Sequence, residues 1–357
     1  MRIKWIIGLA VIVAGAGFLA LNVCKADIGE AAYKRAVPKQ LSANLIDELG
    51  DGLHVVLCGT GSPMPDPSRM GPCTAVLAGD RLFVVDVGAG APRNFGPIGL
   101  SSGRTEAVLL THFHSDHISG LGDFLIQRWA NSGATSPLTV HGPNGTVELI
   151  DALNAMYSFD QQYRVQHHGD LMPAGGYGAA ATVFELDAER QATIIDDGGL
   201  KITAFAVDHG GIDAAVGYRF DYKGRSVVIS GDTAKSANLE RYAKGADILV
   251  HEGLNSDMID VMSAGFAAND QQRLSTIFQE IKDIHTTPVE AAESAEIADV
   301  RMLVLSHIVP PSPSPMLTAY YLRGTGKAFD GEIVMGEDGM VFSLPPDSTS
   351  IERDKRL

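Results

Sequence analysis

One short string of histidines and an aspartate constrains this chain more than any other feature of its sequence. The string THFHSDH follows the apolar run EAVLL, which predicts a buried strand. Side chains two residues apart share a face of an extended segment, so His112 and His114 can bind one metal ion. Asp116 and His117 lie at the turn into a predicted helix and can face a second ion. Such a cluster at a strand-to-helix junction predicts a metal site.

Three later apolar strands also end in a polar side chain. His209 ends ITAFAVDH, Asp232 ends SVVISGD and His307 ends MLVLSH, and loops at strand ends commonly gather to form a site. A carboxylate that bridges two divalent ions holds them about 3.5 to 4 Å apart, where they acidify a water and bind the oxygens of an ester. Imidazole and carboxylate ligands suit zinc, although iron and manganese are also compatible. The sequence therefore predicts a hydrolase with two zinc ions per chain.

The remaining pattern predicts an α/β fold with two mixed sheets. From Leu53 onward, β-rich runs alternate with helical patterns, and both turns and helices join them, which favours two sheets covered by helices over one parallel sheet. Residues 27–50 predict a helical lead-in, 51–345 one catalytic domain and 346–357 a charged C-terminal tail. Residues 160–200 look irregular and predict a loop-and-hairpin excursion.

The N-terminus has the pattern of an export signal. Residues 1–26 contain two early cations, an uncharged apolar run over residues 5–21 and small side chains before a cleavage point after Ala26. The run is shorter than the roughly 20 residues that span a bilayer comfortably, which favours a cleaved signal over a retained membrane anchor. Export implies a periplasmic or secreted protein. There Cys58 and Cys73 could pair, although two buried free thiols are the favoured interpretation.

The histidine string resembles the THxHxDH motif of the metallo-β-lactamase superfamily. The resemblance extends from about Leu53 to Leu344 and implies an αββα four-layer sandwich, with the two mixed sheets inside and helices outside. It also implies that Asp86, in VVDVGAG, steadies the histidine loop without binding metal. The implied ligands are His112, His114 and His209 on the first metal, Asp116, His117 and His307 on the second, and Asp232 as the bridge.

Four further strings narrow the resemblance to the branch that contains ribonuclease Z and arylsulfatases. They are GTGSPMPDPSRMGP, HGGIDAAVGYRF, the pair His251-Glu252 and HTTPVEAAESAEIA, which begins at His285. In that branch the histidine of the last string lies beside the metals, which implies that His285 is the general acid. Asp116 would then orient a metal-bound hydroxide, and His251 and Glu252 would support the site. A homodimer is implied by the resemblance as well.

The choice within this branch rests on three observations. Ribonuclease Z carries a tRNA-binding arm between the counterparts of His209 and Asp232, whereas only 22 residues, 210–231, separate them here. The net charge of −15 opposes binding to a phosphate backbone, and export would remove the protein from tRNA. The closest resemblance is therefore to exported arylsulfatase-like enzymes.

These observations favour hydrolysis of small aryl or alkyl sulfate esters, with no nucleic-acid partner. A ribonuclease Z-like phosphodiesterase or endonuclease and a lactonase are the alternatives, and a non-catalytic metal-binding protein is the least favoured. Near the site, the Pro/Ser loop over residues 310–315 is expected to form a pocket wall. His167, His168 and Tyr177 are expected to lie in a solvated loop, with a lid over the metals as the alternative.

Overall fold

The computed structural model describes residues 24–212 and 214–357. Residues 24–41 are helical and belong to a first compact unit that ends at Asn44, and Leu45–Leu357 form a second unit. Within the described ranges, no helix has the length and apolar character needed to cross a membrane. Nearly all of the predicted export signal or anchor, residues 1–26, lies outside them.

The second unit is built on two mixed sheets. The strands in the described part of the chain are β1 Leu53–Gly59, β2 Cys73–Ala78, β3 Arg81–Val85, β4 Thr105–Leu109, β5 Leu138–Gly142, β6 Ala179–Val183, β7 Gln191–Asp197, β8 Leu200–Ala206, β9 Val216–Tyr222, β10 Arg225–Ile229, β11 Ile248–Leu254, β12 Met302–Val309, β13 Glu332–Met335, β14 Met340–Leu344 and β15 Glu352–Lys355. The first sheet has the order β15-β14-β1-β2-β3-β4-β5-β6 and the second the order β13-β12-β11-β10-β9-β8-β7. Strands β3 to β6 and β10 to β13 are parallel, and the other pairs are antiparallel.

Helices cover the outer faces of both sheets. The α-helices of this unit are Leu45–Leu49, Pro92–Ile98, Ser115–Ile118, Leu121–Ser132, Thr146–Met156, Ser158–His168, Ala237–Ala243, Ser256–Ala268, Gln272–Glu280, Pro288–Ile297, Pro315–Tyr321 and Thr325–Ala328. Single 3₁₀ turns lie at Ser102–Arg104, Gly169–Leu171, Ala174–Gly176 and Ile281–Asp283.

The core explains why the strands are apolar on both faces. Along β1, Leu53 and Val55 pack between the sheets against residues of the second sheet such as Phe220, while Val56 packs on the opposite face in a cluster that includes Phe124 of an outer helix. Alternate side chains of a strand point to opposite faces, so a strand covered on both sides needs a continuous apolar run. The predicted four-layer αββα sandwich is confirmed.

Three local expectations differ from the structure. In the segment 160–200, expected to be a loop-and-hairpin excursion, β7 and β8 form a hairpin, but helix Ser158–His168 and β6 stand where a loop was expected. The predicted charged C-terminal tail, 346–357, contains the strand β15, which pairs with β14 at the sheet edge. All side chains of β15 are exposed, so backbone pairing places this strand without an apolar pattern to reveal it. Cys58 and Cys73 form a disulfide, so the expectation of free thiols is wrong.

Candidate active site

Loops at one edge of the sandwich bring the predicted ligands together from both sheets. The string that contains His112 follows β4 of the first sheet, and His114 caps the short helix Ser115–Ile118. From the second sheet, His209 follows β8, Asp232 follows β10 and His307 lies within β12. In the described part of the segment between His209 and Asp232, the regular elements are β9 and β10, as expected from its length.

The seven predicted ligand residues form two groups that share one carboxylate. In each group the nitrogen and carboxylate oxygen atoms lie within 4.8 Å of one another. Both groups contain Asp232, whose Oδ2 lies 3.2 Å from His117 Nε2 and 3.3 Å from His307 Nε2. The first group is His112, His114, His209 and Asp232, and the second is Asp116, His117, Asp232 and His307.

Several of these buried atoms have no hydrogen-bond partner in the described protein. They are His112 Nε2, Asp232 Oδ1 and His307 Nδ1. A buried polar atom without a partner costs free energy, commonly about 1–3 kcal/mol, unless something else satisfies it. Imidazole nitrogens and carboxylate oxygens are ligands for divalent metals, so the residues present fit a metal centre.

The histidines of the first group are in the neutral form that binds metal. Burial and the neighbouring imidazole of His117 lower the pKa of His112 to about 2, which keeps His112 neutral. His209 Nδ1 lies 2.9 Å from the carbonyl oxygen of Ile284, to which it donates. The Nε2 lone pair of His209 therefore remains available at 3.2 Å from His114 Nδ1. The Ile284 carbonyl thus fixes the His209 tautomer in which Nε2 can bind a metal.

Asp86 holds the histidine string from behind, as expected. It accepts hydrogen bonds from the Thr111 backbone N–H at 2.8 Å, from the Thr111 hydroxyl at 2.7 Å and from His117 Nδ1 at 2.7 Å. Burial opposes the charged form of His117, but the carboxylates of Asp232 and Asp86 more than offset it and raise its pKa well above the ordinary value. This network fixes the direction of the His117 ring.

His285 lies beside the two groups and is paired with a buried carboxylate. Its Nδ1 is 2.9 Å from Glu252 Oε1, and its ring stacks on that of His307 with centroids 5.6 Å apart. Burial lowers the pKa of His285, but the charge and hydrogen bond of Glu252 outweigh burial and raise the pKa to about 9. Glu252 also accepts the backbone N–H groups of Thr233 and Thr286, so it is held in place.

The other residues singled out in the sequence lie elsewhere. His251 is buried, and its Nδ1 bonds to the backbone oxygen of Glu252. Tyr177 packs on Trp129 and donates its hydroxyl to the Asn154 carbonyl, while His167 and His168 are exposed on a helix. None of these last three residues belongs to the metal-ligand groups found in the described chain.

A large cavity opens beside His285 and His307. Its volume is about 870 Å³, and its walls include Pro310 and Pro311, which fits the expectation that the Pro/Ser loop forms a pocket wall. The other walls come from residues 63–65, helices Ser256–Ala268 and Gln272–Glu280, and residues of the segment that follows the strand β12. The sequence did not reveal the role of these two helices, because they contribute only ordinary apolar side chains to the cavity.

The fold and the paired ligand groups define a metal-dependent hydrolase. A family model described as the beta-lactamase superfamily domain matches residues 83–308. Two relatives named Ribonuclease Z are 36% identical over 287 residues, from Mycobacterium sp. (strain KMS), and 37% identical over 289 residues, from Mycobacterium avium (strain 104). Both alignments cover 80% of this chain, with 94% and 96% of the relatives. The chain therefore belongs to the metallo-β-lactamase superfamily, in its ribonuclease Z branch.

Solved structures share the same fold. The metallo-β-lactamase fold protein YhfI from Bacillus subtilis has a TM-score of 0.59 at 18% identity, covering 82% of this chain and 99% of that one. The short form of human tRNase Z has a TM-score of 0.58 at 22% identity with the same coverage. Zn²⁺-bound PqqB from Methylobacterium extorquens has a TM-score of 0.52 at 18% identity, covering 82% of this chain and all of that one.

These findings correct two expectations. The relatives named Ribonuclease Z overturn the expectation of aryl or alkyl sulfate hydrolysis, and they point to the phosphodiesterase alternative. The expectation of a small-molecule ester with no nucleic-acid partner is wrong for the same reason. Net charge was a poor guide, because it sums the whole surface while a scissile phosphate meets only the charges at the site.

Proposed function

We propose that this protein is a ribonuclease Z-type phosphodiesterase that hydrolyses a phosphodiester bond in RNA. The observation that carries the proposal is the identity of 36% and 37% to proteins named Ribonuclease Z over nearly their full length. The fold shared with human tRNase Z makes a tRNA the first substrate to test. The site geometry supports hydrolysis because it combines metal-ligand groups with a buried acid-base pair beside them.

The two ligand groups are proposed to hold one zinc ion each, with Asp232 shared between them. Divalent zinc bound there would lower the pKa of a water molecule and neutralise charge on the phosphate oxygens. The first group contributes neutral imidazoles, and both groups share an ionised carboxylate. Burial opposes the charge of Asp232, but His307 and His117 more than offset this and keep its pKa well below the ordinary value.

Asp116 is proposed to orient the attacking water. Its Oδ2 lies 3.2 Å from His307 Nε2, and 11% of its side chain remains exposed to solvent. Burial would raise the pKa of Asp116, but the hydrogen bond and charge of His307 keep it below the ordinary value. An ionised carboxylate at the edge of the site can accept a hydrogen bond from water and hold it in line with the phosphorus.

His285 is proposed to protonate the leaving oxygen. Glu252 binds Nδ1, so Nε2 is the ring atom from which a proton can be transferred. The raised pKa keeps His285 protonated near neutrality, and positive charge from bound zinc would lower the pKa toward the range suited to an acid. Glu252 acts through His285 as a positioning residue.

Substrate comparison tests the proposal. The full chain loaded with zinc is assayed on a tRNA with a 3′ extension, on bis(4-nitrophenyl) phosphate and on 4-nitrophenyl sulfate. We expect cleavage of both phosphodiesters. The Asp232→Asn variant should lose this activity together with bound zinc, whereas Asp208→Asn, at an exposed carboxylate beside His209, should keep both. Failure of the zinc-loaded protein on both phosphodiesters would overturn the proposal.

A further inference from the structure

The cavity beside His285 has walls of a single chemical character. Among the described residues that line it, those other than His285, His307 and Tyr320 are aliphatic, aromatic, methionine or proline, and none is a lysine, arginine, aspartate or glutamate. Met262, Phe266 and Phe278 come from the two helices that follow β11. The cavity is continuous with the proposed catalytic site because His285 and His307 belong to both.

These walls decide which part of a substrate can enter. An RNA strand carries a charge on each phosphate, and apart from the histidines no described side chain that lines this cavity could offset the water that a phosphate would lose there. An uncharged apolar group would instead remove apolar wall surface from water, which is favourable. Methionine side chains adapt to ligands of different shape, so the cavity can accept apolar groups of more than one shape.

We propose that this cavity binds a bulky, uncharged apolar group attached through an ester oxygen to the scissile phosphate. The inference rests on the proposed function for the phosphodiester itself and adds a subsite for an uncharged group next to the scissile phosphate. Small phosphodiesters that carry one alkyl or aryl group serve as probes of this subsite. RNA would reach the same catalytic groups with its charged backbone outside the cavity.

A series of alkyl 4-nitrophenyl phosphates tests the cavity, because only the alkyl chain varies from methyl through butyl to octyl. In the reaction an oxygen of water bonds to phosphorus, and the bond from phosphorus to the nitrophenolate oxygen breaks. The electron pair leaves with nitrophenolate, and the water proton is released. Each of the seven additional methylenes is expected to raise kcat/KM by about two- to fourfold, so octyl should exceed methyl by at least about 100-fold.

Two variants on one helix provide a matched comparison. Ile277 and Leu274 both lie on Gln272–Glu280 and are both 38% exposed, but only Ile277 lines the cavity. We expect Ile277→Asp to reduce kcat/KM for the octyl ester at least about tenfold, because the new charge lies against the chain. The ratio of kcat/KM for the octyl ester to that for the methyl ester should fall with it. Leu274→Asp should leave this ratio and both kcat/KM values unchanged.

Two results would overturn the inference. One is an equal kcat/KM for methyl and octyl esters, and the other is a clear preference for the nitrophenyl ester of a nucleoside 5′-phosphate over the octyl ester. Calorimetry with octyl phosphate separates this inference from the proposed function. Binding that is lost in Ile277→Asp and kept in Leu274→Asp supports the cavity even if no phosphodiester is hydrolysed. Absence of binding together with RNA cleavage removes the cavity proposal alone.

Discussion

At the scale of single residues, the site depends on groups that stand behind the proposed ligands. Asp86 lies in the left-handed region, with φ of 57°, and so does His307, with φ of 47°. Few residues other than glycine adopt this conformation, and those that do concentrate at functional sites, where surrounding contacts hold them. The three hydrogen bonds accepted by Asp86 are contacts of this kind.

The role of His285 can be separated from that of the metal ligands by changing the leaving group. We expect His285→Gln to slow RNA cleavage by about 10² to 10⁴, because the leaving ribose oxygen needs a proton. Hydrolysis of bis(4-nitrophenyl) phosphate should change much less, since nitrophenolate leaves without one. Zinc content, measured by mass spectrometry, should be unchanged. An equal loss of rate on both substrates would instead show that His285 binds or positions the substrate.

Ligands and supporting groups differed in how visible they were in the sequence. His112, His114 and His117 could be predicted because their side chains are rare, close together and placed after an apolar run. The partners at Ile284, Thr233 and Thr286 could not, because they act through backbone groups that every residue type carries. Their positions follow only from the packing of distant segments.

At the scale of elements, one carboxylate joins the beginnings of three neighbouring strands. Asp247, before β11, accepts bonds from Arg225 at the start of β10 and from Arg301 before β12. It also accepts the Ser226 backbone N–H at 2.9 Å. Burial would raise the pKa of Asp247, but these partners, with Arg225 foremost, lower it below the ordinary value.

This cluster makes a prediction for stability against pH. Because the folded pKa of Asp247 is below the unfolded value of about 3.9, its contribution is present above that pH and is lost as the pH falls through the folded pKa. We expect Asp247→Asn to reduce the free energy of unfolding at pH 7 by about 3 kcal/mol, with a smaller difference at acidic pH. Denaturant titration at several pH values measures both effects.

The exposed pair Asp51–Lys223 is a matched control for this variant. Asp51→Asn should cost much less at pH 7, because solvent screens the pair and holding its two side chains in one geometry costs conformational entropy. An equal loss of unfolding free energy in the two variants would show that burial of the Asp247 cluster does not increase its contribution to stability.

The edge strand β15 leads to a second prediction at this scale. Its exposed side chains pair with other exposed side chains, as in Arg353–Glu332, so it adds little stability through ion pairs. It does cover β14, which would otherwise expose unpaired backbone groups at the sheet edge. We expect truncation after Ser350 to keep activity but to increase aggregation, measured by light scattering at rising concentration. A truncated protein as soluble as the full chain would contradict this role.

The difference between buried and exposed elements explains which of them could be predicted from the sequence. Strands such as β1, β10 and β12 are buried on both faces and require continuous apolar runs, which are visible in the sequence. Helix Ser158–His168 has no fully buried residue, and β15 is exposed throughout, so neither carries a pattern tied to the core. Neighbouring structure places both.

At the scale of the whole molecule, the disulfide between Cys58 and Cys73 bears on location. Disulfides persist in oxidising compartments, and the predicted export of the domain stays a prediction. Titration of the unfolded, unreduced full chain should find one free thiol, at Cys24, and reduction should raise the number to three. A chain cleaved after Ala26 should show none before reduction. Three thiols before reduction would contradict the pairing.

The fold was accessible from the sequence at this scale, whereas the substrate was not. Alternating elements and the histidine string indicated two sheets and a hydrolytic site. The charge of −15 suggested the wrong substrate, since a sum over the chain has no information on where each charge lies. Composition also gives no sign of the apolar cavity beside His285 and His307.

The proposed ligands come from both sheets, and this arrangement links metal supply to folding. Four of them follow β4 in the first sheet, and the other three belong to the second sheet, about a hundred or more residues further along the chain. Zinc would act as a clamp that closes a long loop of chain and favours the folded state by mass action. We expect the melting temperature to rise with free zinc and to fall on chelation, and to do neither in Asp232→Asn. In a compartment where zinc is scarce, the amount of folded protein would itself report how much metal is available.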